Sequence, residues 1–234
     1  MTRARTGALL LLIGLLAAVA ALAVARSNRA AERPRLMLLT SLPLLFGEGF
    51  ALQDSGSPAL KALQGRFDIV PISVTSPAEL KRGGLLLMAH PRAQPAEDLV
   101  ALDEWVRRGG HLVLLADPLL EWPSARPLGD PLRPAVMFAD TGLLAHWGLR
   151  LDSPEQRGPA VRKLAGRQVL TVSPGMLFGS CPISPDRFVA HCRIGRGQAT
   201  VVADADLLGA ERLGPAAAKN LDAVMHELAA LEAR

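Results

Sequence analysis

The sequence predicts an α/β fold with a mostly parallel sheet, because short apolar runs alternate along the chain with stretches of helical periodicity. The most informative stretch is residues 99–118, LVALDEWVRRGGHLVLLADP. In this stretch an amphipathic helix ends at a Gly-Gly turn, and an unbroken apolar run follows, as in a strand that is buried on both faces. Asp117 then ends the strand, at the edge where open α/β sheets bind their ligands.

The N-terminal segment predicts a membrane attachment. Residues 1–6 are short and basic, and residues 7–25 form an uncharged apolar run that is long enough to span a bilayer. Two interpretations of residues 1–26 stay open, a transmembrane signal anchor or a cleaved signal peptide. The count of flanking arginines favours a cytoplasmic C-terminal domain, whereas the layout of an export signal and the two cysteines favour the periplasm. We predict a single-pass inner-membrane protein with a periplasmic domain.

A polar linker at residues 27–35 leads into a single α/β domain at residues 36–234. Within this domain, apolar runs bounded by polar or turn-forming residues predict buried strands. They cover residues 36–39, 85–89, 112–116 and 199–203, with a more exposed outer strand at 67–74 and a short strand at 149–151. Capping residues and helical periodicity predict helices between the strands. These cover residues 58–64, 95–108, 136–147 and 216–231, with one further turn opened by Ser76 and Glu79.

Two segments depart from this alternation. Residues 118–134 contain five prolines and predict a long surface loop beyond the carboxyl edge of the sheet. Trp122 in this loop has two interpretations, an exposed contact for a partner or a plug for the edge of the domain itself. Short β runs near the C-terminus predict an antiparallel ribbon that is added to the main sheet. They cover residues 168–172, 176–181 and 187–194.

Composition excludes several classes of function. The formal net charge is +4, but aromatic residues make up only 4% and tyrosine is absent, so a surface that stacks nucleic-acid bases is not predicted. No G-x-G-x-x-G or Walker lysine motif follows a predicted strand, which argues against nucleotide hydrolysis. We therefore predict no nucleic-acid partner and no cofactor.

Polar residues follow four of the predicted parallel strands, and they gather at one edge if the sheet is parallel. Together with the neighbouring Thr40, the residues that we assign to this ligand or partner edge are Ser41, His90, Asp117, Asp204 and Asp206. These side chains have three interpretations, a Ser-His-Asp triad, a cation site and structural caps. The triad interpretation is weakened because no G-x-S-x-G turn carries the serine. In the second interpretation the three aspartates hold a cation. The third is simpler and needs no metal, since Asp204 is then a strand-end cap and Asp206 an N-cap. We predict no metal and no catalytic residue at this edge.

The two cysteines, Cys181 and Cys192, bracket ten residues with Pro185-Asp186 near the middle. A hairpin over this segment would place them opposite each other, and a disulfide closing such a loop is worth about 3 kcal/mol in an oxidising compartment. Two interpretations stay open, a disulfide or two inert thiols. Neither cysteine has the surroundings of a catalytic thiol, since His191 points to the opposite face of its strand from Cys192.

Three segments of the chain resemble a known family. They are LDEWVRRGGHLVLLADP, GLLAHWGLRLD, and RIGRGQATVVADADLL with the following Asn220, and they resemble the GldG family of auxiliary proteins from gliding-motility-type ABC transport systems. The resemblance extends over about residues 36–231. It implies a flavodoxin-like sheet with helices on both faces, similar to the fold of class I glutamine amidotransferases.

The resemblance also bears on function. Glutamine amidotransferases need a cysteine on the turn after a central strand, where this chain has Ala89-His90-Pro91 and Asp117-Pro118. The resemblance therefore implies a noncatalytic, membrane-anchored accessory domain whose partners are the membrane or ATPase subunits of an ABC transporter. Two alternatives stay open, a hydrolase that uses Ser41, His90 and Asp117 and a sugar- or peptide-binding module.

Overall fold

A mostly parallel sheet forms the centre of the computed structural model, which describes residues 33–46 and 56–233. The strands of these residues are β1 (Arg35–Thr40), β2 (Asp68–Pro71), β3 (Leu85–Ala89), β4 (His111–Leu115), β5 (Leu149–Asp152), β6 (Pro159–Leu164), β7 (Arg167–Val172), β8 (Met176–Gly179), β9 (Val189–Ile194) and β10 (Gly197–Val202). The helices are α1 (Pro58–Arg66), α2 (Pro77–Leu80), α3 (Ala96–Arg107), α4 (Leu143–His146), α5 (Ala210–Leu213) and α6 (Ala216–Glu232), with a 3₁₀ turn at Asp206–Leu208.

The central sheet has the strand order β2-β1-β3-β4-β10-β9, in which β9 alone is antiparallel to its neighbour. The predicted mostly parallel sheet is therefore confirmed. From β1 the chain moves outward to β2 and then returns to the other side of β1 to form β3. The strand order thus reverses between β1 and β3, which opens a crevice at their carboxyl ends.

The strands in the middle of the sheet are apolar because both of their faces are covered. Leu36, Leu87, Val113 and Val201, from four different strands, are each 0% exposed. The Gly-Gly turn between α3 and β4 also follows from packing. Gly109 has φ of 117°, which favours glycine, and a Cβ on the next residue, Gly110, would lie 2.4 Å from the Trp105 ring.

The helix predicted at residues 136–147 is wrong, since α4 covers only Leu143–His146. The backbone N–H of Phe138 donates to the carbonyl of Asp117 at 2.7 Å, which holds this part of the chain against the end of β4. Asp140 Oδ1 accepts from the N–H of Gly142, and Gly142 has φ of 101°. A tertiary hydrogen bond and a left-handed glycine therefore override the helical periodicity of this segment.

The predicted C-terminal ribbon is wrong in its pairing, because its three strands join three different partners. β6 pairs with β7, β5 pairs with β8, and only β9 joins the central sheet, against β10. The predicted elements omit β6, whose polar, alternately exposed sequence lacks an apolar run. A two-residue turn joins β6 to β7. Ala165 and Gly166 in this turn both have positive φ, which is the geometry that matches the twist of paired strands.

None of the helices in the described residues combines the length and apolar character needed to cross a bilayer. The predicted membrane segment at residues 7–25 lies outside the described residues.

Candidate functional site

The polar residues predicted at the carboxyl edge of the sheet lie in two separate groups. The first, which we call the switch-point group, consists of Thr40, Ser41 and His90 at the ends of β1 and β3. The second, which we call the acidic cluster, consists of Asp117, Asp204 and Asp206, which follow β4 and β10. The structure therefore brings the aspartates together, whereas the serine and histidine lie at the neighbouring crevice.

In the switch-point group, hydroxyl groups join the end of β1 to the end of β3. Thr40 Oγ1 donates to the carbonyl of Ala89 at 2.8 Å and accepts from the N–H of Leu42 at 3.0 Å. Ser41 Oγ donates to the carbonyl of His90 at 2.5 Å. Both hydroxyls thus connect the end of β1 to the backbone at the end of β3.

His90 is held with unusual backbone geometry in a buried position. It is 1% exposed and has φ of 46°, and its N–H donates to the carbonyl of Leu115 at 2.9 Å. Nε2 lies 2.7 Å from the carbonyl of Ala135, so the ring proton is assigned to Nε2. Burial lowers the pKa of His90, and the bond to Ala135 opposes this effect. Burial thus favours the neutral form of the imidazole, and its Nδ1 has no hydrogen-bond partner in the described residues.

A cleft of about 360 Å³ opens beside the switch-point group. It is lined by the end of β1 and by side chains from the loops after β1, β3 and β4, including Thr40, Ser41, Phe46, Arg92 and Leu132. Its position at the reversal of strand order is the usual place for a ligand in open α/β sheets.

In the acidic cluster, Asp117 joins the end of β4 to the loop after β10. Asp117 Oδ1 accepts from the N–H of Leu119 at 2.8 Å, and Oδ2 accepts from the N–H of Ala205 at 3.0 Å. Asp204 Oδ1 accepts from the N–H of Leu207 at 2.9 Å, within the turn that follows β10.

Asp206 has a different role from the one predicted. Its Oδ2 accepts from the N–H of Glu121 at 2.8 Å, and its Oδ1 pairs with Arg212 Nη1 at 3.0 Å. The interpretation of Asp206 as an N-cap is therefore wrong, since its side chain binds a loop 85 residues away in the sequence.

Burial dominates the ionisation of this cluster. It raises the pKa of Asp117 to about 7, with amide hydrogen bonds from Ala205 and Leu119 opposing the rise and the charge of Asp206 adding to it. Burial and the charge of Asp117 raise the pKa of Asp204 well above its usual range. Burial also raises the pKa of Asp206, and Glu121 N–H and Arg212 oppose that rise. At neutral pH the cluster is therefore able to hold protons as well as negative charge.

The hydrogen bonds do not assemble a catalytic triad. The hydroxyl of Ser41 bonds to the main chain of His90 and not to its ring, and the ring bonds to Ala135. Both carboxylate oxygens of Asp117 accept backbone N–H groups. In the part of the chain that the structure describes, these three side chains thus have no hydrogen bond to one another.

Sequence reasoning missed three residues beside the acidic cluster. Ser173 Oγ donates to Glu121 Oε1 at 2.5 Å, and Arg212 Nη1 donates to the carbonyl of Glu121 as well as to Asp206. These residues come from three distant parts of the chain, and none belongs to a local motif. Trp122, beside Glu121, packs against the hydrophobic core, in agreement with its interpretation as a plug.

Cys181 and Cys192 form a disulfide in the structure, with their Cα atoms 5.0 Å apart. A turn at Ser184–Arg187 and a bridge between Ile183 and Ala190 bring the two cysteines opposite each other. The disulfide therefore attaches the segment before β9 to the antiparallel edge strand of the central sheet.

Solved structures share this fold at low sequence identity. Cytoplasmic protein STM3548 from Salmonella typhimurium is 10% identical with a TM-score of 0.55, over 84% of this chain and 98% of that one. The mmIFT52 N-terminal domain is 14% identical with a TM-score of 0.54, over 83% of this chain and 97% of that one. The exo-beta-1,4-mannosidase Op5Man5 from Opitutaceae bacterium strain TAV5 is 16% identical with a TM-score of 0.52, over 88% of this chain but only 38% of the mannosidase. At these identities the likeness shows the fold alone.

No curated protein matches the sequence. The model of a protein family described as "ABC-type uncharacterized transport system" matches residues 33–155, more than half of the chain. The matched residues include β1 to β5, the switch-point group and Asp117. The chain therefore belongs to this family of auxiliary components of ABC-type transport systems.

Proposed function

We propose that this protein is a noncatalytic accessory subunit of an ABC-type envelope transport system, anchored in the inner membrane by residues 7–25. The family match over residues 33–155 carries this proposal. The resemblance to the GldG family over about residues 36–231 agrees with it. In this proposal the α/β domain binds the membrane subunit of the transporter and has no chemistry of its own.

The polar residues at the strand ends support a noncatalytic role. The parallel strands have the order β2-β1-β3-β4-β10, which is the order of flavodoxin-like sheets and agrees with an amidotransferase-like fold. At the strand ends, where such an enzyme needs a nucleophile and a base, Ser41 and His90 both bond to backbone carbonyls. A nucleophile needs a base within hydrogen-bond reach, and this arrangement does not provide one.

The loop between β4 and α4 is the surface that we assign to the transporter. Most of the exposed large apolar side chains of the described residues lie on it, namely Leu128, Leu132, Val136 and Met137. Exposed apolar side chains on one loop are candidates for a protein contact. We assign the membrane subunit as the partner because a periplasmic domain faces that subunit and not the cytoplasmic ATPase.

The disulfide between Cys181 and Cys192 supports the periplasmic location. Structural disulfides persist in oxidising compartments such as the periplasm and are rare in the cytosol. Thiol alkylation of the full chain, trapped in acid from intact cells, is expected to label both cysteines only after reduction. Labelling without reduction would contradict the periplasmic location while leaving the association with the transporter to be judged separately.

The association is tested by crosslinking the tagged full chain in its native membranes and identifying the captured proteins by mass spectrometry. We expect the membrane subunit and ATPase of an ABC transporter encoded beside this gene. Leu128→Asp combined with Met137→Asp is expected to reduce their recovery about tenfold, since a charge at an apolar contact costs more than 1.4 kcal/mol. Val161→Asp is the matched control, because Val161 is about as exposed as Met137 but lies on β6. Absence of transporter subunits from the parent sample would contradict the proposal.

A further inference from the structure

The cleft beside the switch-point group combines apolar walls with positive charge. Two of the described side chains that line its volume of about 360 Å³, Arg92 and Arg126, are cationic, and none in the described ranges is acidic. Most of the others are apolar, namely Leu42, Pro43, Leu45, Phe46 and Leu132. Apolar walls with a few polar groups are typical of sites for small molecules. The cleft therefore has the composition of a site for a small anion that carries an apolar group.

One of the two positive charges in the cleft is not balanced by a described carboxylate. Arg126 Nη1 lies 3.5 Å from Asp130 Oδ2, so this arginine has an acidic partner. Arg92 Nη2 instead donates to the carbonyl of Pro131, which is a neutral group, and no ion pair of the described residues includes Arg92. A ligand with one negative charge would balance Arg92, whereas a doubly charged ligand would bring one charge in excess.

The polar groups of the cleft are held in place without a ligand. The bond to Pro131 fixes the Arg92 guanidinium against the loop between β4 and α4. A guanidinium has five N–H donors, so this bond leaves donors on Arg92 for a ligand. The hydroxyl protons of Thr40 and Ser41, in contrast, are already donated to backbone carbonyls. Arg92 therefore offers a charged, planar donor group, which matches the two oxygens of a carboxylate.

The lining of the cleft also exposes apolar surface that a ligand can cover. Phe46 is 81% exposed and Leu132 is 61% exposed. Removing such surface from water is favourable in proportion to the area that is covered. An aromatic ligand gains further, because aromatic rings attract one another in offset or edge-to-face contacts. The apolar part of a ligand is thus expected to contact Phe46 and Leu132.

We propose that this cleft binds a small organic monocarboxylate, with its carboxylate on Arg92 and its apolar or aromatic group against Phe46 and Leu132. The position agrees with this, since the strand order reverses between β1 and β3 beside the cleft. The proposal goes beyond the association with a transporter, because the cleft is a property of this chain alone. Leu132 also belongs to the surface that we assign to the transporter, so a bound ligand would cover part of that surface.

The test is a titration of the purified full chain, in phosphatidylcholine nanodiscs, with three ligands of similar shape, measured by saturation-transfer NMR. Phenylacetate is the monocarboxylate, phenylacetamide is its neutral counterpart, and fully ionised benzylphosphonate is a dianion. Empty nanodiscs provide the blank. We expect phenylacetate to bind with a Kd of roughly 1 mM, as is typical of a ligand with about ten heavy atoms. The amide and the phosphonate should each bind at least about fivefold more weakly.

Two variants separate the charge of the cleft from its apolar contact. Arg92→Gln is expected to weaken phenylacetate binding about tenfold and phenylacetamide binding by less than about threefold, because only the carboxylate needs the positive charge. Phe46→Ala should weaken both ligands by the same factor, about threefold, because it removes apolar area alone. Arg157→Gln, at an exposed arginine that does not line the cleft, is the matched control and should bind phenylacetate as the parent does.

The proposal is overturned if phenylacetate at about 10 mM, ten times the expected Kd, gives no saturable signal with the parent chain. It is equally overturned if a folded Arg92→Gln variant binds phenylacetate as well as the parent. If that variant does not fold, equal binding of phenylacetate and phenylacetamide by the parent overturns it instead. Tighter binding of benzylphosphonate would overturn the assignment to a monocarboxylate. None of these outcomes depends on the crosslinking of transporter subunits, so the two proposals fail separately.

Discussion

His90 of the switch-point group and the acidic cluster lie at the same edge of the sheet and are similarly buried, but burial shifts their pKa values in opposite directions. It lowers the pKa of His90, a base, and raises the pKa of Asp117, an acid. In both cases the low-polarity surroundings favour the neutral form. One physical cause, desolvation, therefore gives two neighbouring sites opposite pH dependences.

The acidic cluster should give the larger effect of pH on stability. The folded chain holds a proton on Asp117 up to about pH 7, whereas the unfolded chain releases it near the ordinary pKa of 3.8. The folded state therefore binds more protons between these values, and the unfolding free energy falls as pH rises through this window, by about 4 kcal/mol for this group. Urea unfolding at a series of pH values measures the slope.

Asp117→Asn separates this contribution from those of the other titrating groups. The variant should lose the fall in stability between about pH 4 and pH 7. D140N, at an exposed aspartate, should keep it. If the parent and Asp117→Asn have the same slope, the buried carboxyl does not retain its proton in the folded chain.

His90 should give a smaller effect of opposite sign. Because burial lowers its pKa, its contribution to stability is present above the ordinary value of 6.5 and is lost as pH falls from that value through the lowered pKa of the folded state. His90→Asn tolerates the left-handed backbone but loses the bond to Ala135, which we expect to cost about 1 to 2 kcal/mol at pH 7.5. The variant should also lose less stability than the parent on acidification. His226→Asn, at an exposed histidine, is the control and should behave like the parent in urea unfolding.

Much of the edge was predictable from the sequence because it depends on local signals. The apolar run at residues 85–89 coincides with β3, and residues 216–231 differ from α6 by one residue. Parallel strands then place the residues that follow them at one edge, so the sequence predicts that Ser41, His90 and the aspartates share that edge.

The burial of these residues was not predictable, because it depends on contacts between distant segments. The loop after β4 covers the cluster through the bond from Glu121 to Asp206, and Thr171 and Arg212 enter from other elements. The sequence pattern therefore identified the edge correctly but not the separation of its residues into two groups. The helix predicted at residues 136–147 failed for the same reason, a bond from Phe138 to Asp117.

The smallest predicted effect tests whether the Ser41 hydroxyl and the His90 ring act together. Ser41→Ala removes one hydrogen bond to the carbonyl of His90 and should cost about 1 kcal/mol, with no change in pH dependence. That carbonyl is also present in His90→Asn, so the cost of Ser41→Ala should be the same in both backgrounds, to within about 0.5 kcal/mol. Urea unfolding of the two single variants and the double variant completes the cycle. A larger coupling would mean that the hydroxyl interacts with the imidazole itself, as a hydrolase would require and a noncatalytic accessory subunit would not.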